Sequence, residues 1–181
     1  MLVEETNLKG CYILQPKIFK DKRGYFTESF NQKTFTQLTG LSANFVQDNE
    51  SQSSRGVLRG LHFQKGEFAQ AKLVRVVKGS VMDVAVDLRL NSDTYGKHFS
   101  IILSGTNKTQ LYIPRGFAHG FVVLEDNTIF NYKCDNYYNK ASEGGIIYND
   151  KNLNIDWSLP KTDLIISEKD LMLPSFKELK L

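Results

Sequence analysis

The sequence is poor in the residues that build covalent frameworks. Its two cysteines, Cys11 and Cys134, form no CxxC pair. A disulfide scaffold is not expected, and both read as buried thiols of a cytoplasmic protein. No run approaches the roughly 18 consecutive apolar residues of a spanning helix, so no membrane partner is expected. The opening residues, MLVEETNLKGCYIL, carry acids where an export signal needs bases, and their apolar run is short. An imbalance of charge is missing too. Lys and Arg number 23 against 20 Asp and Glu, for a net charge of +3 with no basic run. This argues against a nucleic-acid partner and leaves room for an anionic small molecule. No G-x-G-x-x-G follows a strand and no Walker motif occurs, which disfavours hydride transfer on a Rossmann domain and P-loop phosphoryl transfer. Repeats, low-complexity linkers and abrupt changes of composition are also absent. The 181 residues therefore read as one domain, 1–181, long enough to bury a sizeable core.

What is present is a series of short strands. The segment KLVRVVKGSVMDVAVDL (72–88) has Val-rich runs on both sides of Lys78-Gly79 and period-two alternation over 83–87. A hairpin around Gly79 is expected. Further strands are expected over 10–14, 24–30, 44–51, 57–64, 98–103, 110–113, 119–124 and 128–134. Only 32–38 reads as helix near the front, with a turn or two over 169–176. The expected fold class is mainly β, an antiparallel sandwich or jelly roll with a few short helices.

Three histidines are candidates for chemistry: His62, His98 and His119. His62 lies in RGVLRGLHFQ and His119 in IPRGFAHGF, and either alone fits a satisfied core residue as well as an active one. Arg59, His62, Gln64 and Lys72 are polar groups in or beside strongly apolar strands, and burying them is costly without partners. A barrel mouth holding a polar ligand would supply those partners. In an ideal strand Arg59 shares the face of Leu61 and Phe63, unless a bend at Gly60 changes the face. A metal site of the jelly-roll type needs two closely spaced histidines. Here Phe63 and Gln64 follow His62, and His98 has no paired carboxylate in register, so no metal ligand is assigned. Lys72 reads either as a solvated strand end or as a cation for an oxyanion. Tyr132, in FNYKCDNYY, reads as filler or as a general acid. KDKRGYFTESF (20–30) looks like a surface hairpin and FVQDNES (45–51) like a polar turn.

Taken together and in order, DKRGYFTESF, FVQDNESQSSRGVLRGLHFQ, AKLVRVVKGSVMDVAVDLR, SDTYGK, QLYIPRGFAHGF, NYKCDNYY, YNDKNLNIDW and SEKD resemble the dTDP-4-dehydrorhamnose 3,5-epimerase family. The likeness runs from about Asp21 to Asp170. It implies a cupin-type jelly-roll β-barrel or sandwich, a homodimer, and an isomerase without metal or organic cofactor. The implied substrate is dTDP-4-keto-6-deoxy-D-glucose and the product dTDP-4-keto-L-rhamnose, on the route to L-rhamnose in polysaccharides. By the same likeness His62 matches the catalytic base, Asp170 the acid that orients it, Tyr132 the proton donor on the opposite face, and Lys72 the residue beside the sugar ketone. Arg23, Glu28, Gln47, Asp48, Asn49, Arg59, His119, Glu143 and Lys169 match substrate contacts, including those to the diphosphate. Tyr138 matches the residue that stacks on thymine, and Phe26 is expected to line the same pocket.

The sequence departs from the family at a few positions. Arg115 stands where an acid is usual and is expected to add positive charge near the pocket mouth. The stretch 67–71 follows only some members, and Cys134 replaces a common Thr. The nearest rival is an epimerase that inverts only C3 or only C5, or one acting on a related nucleotide 4-keto sugar. A metal-dependent cupin oxygenase would need the missing HxH pair. A non-catalytic sugar-binding relative would have lost His62, Lys72 or Tyr132, all of which are present.

Overall fold

The computed structural model describes residues 1–42 and 44–179. Strands β1 (Leu2–Glu5), β2 (Tyr12–Gln15), β3 (Ile18–Asp21) and β4 (Gly24–Thr27) come first, followed by helix α1 (Gln32–Thr39). Then follow β5 (Gln47–Ser53), β6 (Val57–Gln64), β7 (Lys72–Lys78), β8 (Ser80–Asp87), β9 (His98–Ser104), β10 (Gln110–Ile113), β11 (Phe117–Val123) and β12 (Thr128–Cys134). The short strands β13 (Glu143–Gly145) and β14 (Ile165–Ile166) and the one-turn helix α2 (Glu168–Leu171) complete the path. Two sheets form the body, in the orders β1-β2-β10-β7-β12-β5 and β13-β6-β11-β8-β9. All their pairings are antiparallel except β14, which lies parallel to the start of β6. This is the expected jelly roll.

Alternation explains how the sheets pack. Val74, Val76, Leu111, Ile113 and Phe130 of the first sheet meet Val81, Ala85, Phe117, Phe121 and Val123 of the second in one buried cluster. Strand β8 is buried along its whole length because both faces are covered. Its Met82, Val84 and Val86 point outward and are capped by Ile146, Leu153 and Trp157 from the long segment after β13. A third cluster holds α1 to the outside of the first sheet, with Phe35 against Leu14, Leu73 and Tyr112. Asn31 caps this helix by accepting from the Thr34 N–H, and Gly40 ends it at φ 71°.

Several element boundaries differ from the sequence reading. The strand expected over 24–30 stops at Thr27, because Phe30 turns to pack edge-on against Phe45 at 5.0 Å. The strand expected from Asn44 begins at Gln47. The turn or two expected over 169–176 is the single turn of α2, which Ser167 starts by accepting the Asp170 N–H. The surface hairpin expected in 20–30 is β3–β4, whereas β1, β13 and β14 are too short or too weakly patterned for the sequence to indicate them. The hairpin β3–β4 is a sheet of its own and pairs with no other strand among the described residues.

Candidate active site

Strand register sets one wall of a cleft. In the first sheet Tyr132 of β12 stands opposite Asn49 of β5 and Val74 of β7. One step along, Cys134 stands opposite Gln47 and Lys72. Period two then puts Gln47, Asn49, Lys72, Tyr132 and Cys134 on the inner face. Asp48 falls on the outer face, where its carboxylate accepts from Lys133 Nζ at 2.8 Å. It therefore does not join the cleft, although it sits between two residues that do.

A bulge sets the other wall. In β6, His62 pairs with His119 of β11, yet Arg59 pairs with Phe121, so the ladder slips by one residue between them. Gly60 absorbs the slip at φ 131°, and a Cβ there would come within 2.5 Å of Gly120 Cα. The bend changes the face. Leu58 and Leu61 both enter the apolar cluster, while Arg59 and His62 both line the cleft. Without it Arg59 would share the face of Leu61.

The cleft has a volume of about 620 Å³ and holds Asn49, Arg59, His62, Lys72, His119 and Tyr132. A second compartment of about 310 Å³ shares Asn49, His62, Lys72 and Tyr132 and extends to Gln47, Tyr138 and Glu143. Both volumes suit small polar ligands. His62 Nε2–H donates to Asp170 Oδ1 at 2.8 Å, which leaves Nδ1 as the lone-pair nitrogen. Asp170 is 4% exposed, and its Oδ2 accepts the Gly60 N–H at 3.2 Å. Burial depresses the His62 imidazole below its ordinary value, against the pull of Asp170, so the ring is neutral at neutral pH. His119 Nε2 lies 2.8 Å from Asp83 Oδ2, wholly inside the sandwich.

The first-sheet wall has a different character. Lys72 forms no ion pair among the described residues, and its Nζ lies 5.7 Å from the centroid of the Tyr132 ring. Burial pulls the ammonium below the ordinary lysine value. Burial likewise raises the Tyr132 phenol, which keeps its proton. Cys134, at the side of the second compartment, is pushed up to about 11 and stays a thiol. The geometry thus gathers a neutral imidazole, a protonated phenol and a desolvated cation around one cavity. These are the parts needed to remove and return a proton beside a carbonyl.

At the rim, Lys169 Nζ donates to Glu143 Oε1 at 2.7 Å and the Tyr138 hydroxyl to Glu143 Oε2 at 3.0 Å. Lys169 holds the Glu143 carboxyl below its usual range, and the Glu143 bond raises the Tyr138 phenol. Arg23, Phe26 and Glu28 are not brought to this cleft. Arg23 bonds its neighbour Asp21 at 2.6 Å, and Phe26 is 68% exposed on the free hairpin. Arg115 brings no unbalanced charge to the pocket mouth either: its Nε donates to Asp135 Oδ2 at 2.8 Å. Sequence reasoning missed Asp83, whose signal was a carboxylate inside the apolar strand VMDVAV. It also missed Ser51, Ile165 and Ser167, which line the cleft from β5, β14 and the cap of α2. Among the described residues, no three His, Cys, Asp or Glu side chains come together as metal ligands would.

Comparison with known proteins agrees with this geometry. The family profile described as dTDP-4-dehydrorhamnose 3,5-epimerase matches residues 5–178. The Escherichia coli (strain K12) dTDP-4-dehydrorhamnose 3,5-epimerase is 53% identical over 180 residues, covering 99% of this chain and 96% of its own. The crystal structure of the Elizabethkingia anophelis NUHP1 enzyme of that name superposes with a TM-score of 0.95 at 59% identity, over 98% of this chain and 97% of that one. A dTDP-6-deoxy-D-glucose-3,5-epimerase from Legionella pneumophila Philadelphia 1, solved with dTDP-4-keto-L-rhamnose, also gives 0.95, at 46% identity over 99% and 94%. With a jelly roll, a histidine–carboxylate dyad and a facing tyrosine in one cleft, and likeness along nearly its full length, the chain belongs to the dTDP-4-dehydrorhamnose 3,5-epimerase family.

Proposed function

We propose that the protein inverts C3 and C5 of dTDP-4-keto-6-deoxy-D-glucose to give dTDP-4-keto-L-rhamnose, without a metal or organic cofactor, in dTDP-L-rhamnose biosynthesis. The observation that carries this reading is the opposition of a neutral His62, held by Asp170, to a protonated Tyr132 beside Lys72. The C4 carbonyl acidifies the protons on C3 and C5. His62 Nδ1 takes one of them, and the electron pair moves onto O4. Lys72 places its positive charge against that enolate oxygen. Tyr132 then gives its proton to the opposite face of the same carbon, which inverts it. Arg59 and Lys169 supply charge for the diphosphate, with Arg59 suited to bidentate contact. His119, Gln47 and Asn49 hold the sugar, and Tyr138 with Glu143 receives the thymidine end.

The protein acts as a cytoplasmic homodimer in this reading, with no nucleic-acid or membrane partner. Support for the dimer comes from hairpin β3–β4, which presents Phe19, Tyr25 and Phe26 to solvent. Arg23, Phe26 and Glu28 would reach a cleft as the hairpin of one copy enters the other. Asp48 faces away from the cleft of its own chain and is held there by Lys133.

Proton NMR of the substrate with enzyme in deuterium oxide tests the reaction. Deuterium is expected at both C3 and C5. Exchange at a single carbon would instead support the C3- or C5-only rival, and no exchange despite dTDP binding would sink the substrate assignment. His62→Ala is expected to abolish turnover while keeping dTDP binding. Normal exchange in that variant would remove His62 as the base.

A further inference from the structure

The acid that aims His62 stands on a very short element. Helix α2 is four residues long, and a single turn does not keep its shape alone in water. Asp170 is nevertheless buried there, bonded to the His62 ring and to the Gly60 N–H. Water competes for a carboxylate, so keeping it buried draws on whatever presses the turn against β6. On the incoming side that hold is β14, whose Ile165 N–H donates to Gly56 O at 2.9 Å.

On the outgoing side the chain runs on as a strap, residues 173–178. Leu173 packs down on β13: a Cβ at Gly145, which pairs with His62, would come within 2.7 Å of Leu173 Cδ2. Pro174 O then accepts the Ile147 N–H at 2.9 Å. Phe176 anchors the strap. Its N–H donates to Asp150 Oδ2 at 2.8 Å, and its ring lies 5.3 Å from that of Tyr95. Asp150 is buried, and its other oxygen accepts the N–H groups of Asn152 and Leu153. Leu153 is itself buried with Trp157 in the cluster that holds Val84 and Val86 of β8. A continuous path of contacts thus joins the second sheet to Asp170. Neither Asp150 nor Phe176 lines the cleft or its second compartment.

We propose that Asp150 and Phe176 are positioning residues for the base: through the strap they hold α2 down, so that Asp170 keeps the His62 ring aimed. They touch no reacting atom. The other histidine–carboxylate pair supplies a contrast within the same molecule. His119 and Asp83 stand on β11 and β8, which adjoin in the sheet, and need no strap to meet. The part played in turnover rests on the reading of His62 as base given above; the hold on the ring does not.

Loosening the anchor tests it. Phe176→Ala removes the ring, and Asp150→Asn weakens the same anchor from the other side should the first variant fold poorly. Proton NMR follows solvent exchange of the two imidazole Nε2 protons, the His62 signal being the one that vanishes in His62→Ala. Exchange at His62 is expected to quicken about tenfold in either variant as the dyad opens more often, with His119 unchanged. The kcat is expected to fall about tenfold. Affinity for dTDP should hold, because Lys169 keeps its own bond to Glu143. In an Asp170→Asn background the same substitutions should cost nothing further. Equal quickening at both histidines would mean general loosening, and no change at His62 would mean that α2 holds itself. Either result overturns the proposal, as does a full further loss of kcat in the Asp170→Asn background. A loss confined to dTDP affinity would assign the strap to Lys169 and overturn it too. The expected contrast in proton exchange, in a parent enzyme that turns over no dTDP-4-keto sugar, would sink the substrate reading and leave the positioning intact.

Discussion

On the wall built from the second sheet, each histidine leans on a carboxylate: His62 on Asp170 and His119 on Asp83, both at 2.8 Å. On the wall built from the first sheet, neither Lys72 nor Tyr132 bonds a carboxylate among the described residues, and burial is the largest influence on their titration. The proton-accepting side is thus oriented in advance by fixed partners. The proton-donating side has no such fixed carboxylate partner, and an enolate oxygen would meet its charge and its phenol directly. Orientation and desolvation are separate ways of preparing a group, and this cleft assigns one to each face.

Substitutions that exchange these characters test the contrast. Asp170→Asn should have the largest effect. The amide can accept from or donate to the ring, so the tautomer with Nδ1 unprotonated is no longer enforced. A loss of about 10²–10⁴-fold in kcat is expected, the range for disturbing a general base and its orienting acid. The sign of the pH effect also follows. Burial lowers the His62 value and Asp170 raises it, so removing the acid lowers it further. The acidic limb of kcat/KM, already below 6.5 in the parent, should move to still lower pH. A limb that stays in place would mean that another group titrates.

Lys72→Met should come next. A loss of about 10²–10³-fold in kcat is expected from removing the charge beside the enolate. Thermal stability should rise, because a partly buried cation without an ion-pair partner among the described residues is replaced by an apolar chain of similar length. A fall in melting temperature would show that Lys72 has a structural partner and that the two walls are more alike than described.

The smallest effect on turnover is expected far from both walls. Asp87 is wholly buried at the end of β8 and takes hydrogen bonds from Arg89, Ser92 and Thr94. Burial pushes its carboxyl up, but these donors outweigh it and bring the value down to about 2. Its contribution to stability is present above the ordinary carboxylate value of 3.8 and is lost as pH falls toward 2. Asp87→Asn should therefore lower stability at pH 7 by about 1–3 kcal/mol and flatten acid unfolding in that window, with kcat unchanged. A change in kcat would mean that the loop after β8 communicates with the cleft.

The parts of the fold that were legible in advance are those with strong local pattern. Val-rich β7 and β8 around Gly79, and β6, β10 and β12, stand close to where alternation puts them. The two-residue strand β14 and the edge strand β13 carry too few residues for a period to show. In the site, the residue types near His62 pointed to a polar cavity, but not to its partners. Asp170 lies 108 positions away and was placed only through resemblance. The face occupied by Arg59 depended on a bulge at Gly60 that binary patterning does not encode. Asp48 shows the reverse case. It sits in a polar run with two cleft residues, and plain alternation turns it outward.

The distance of 108 positions between His62 and Asp170 also affects how activity appears during synthesis. As the chain leaves the ribosome, all the strands of both sheets, β14 included, are complete before Ser167 and α2 emerge. A nascent chain at that stage can bury most of its core and form most of its cleft, yet its imidazole still lacks the carboxylate that aims it. Competence therefore arrives last, with a single turn of helix, and a chain cut short before that turn would be a folded sandwich with an unaimed base.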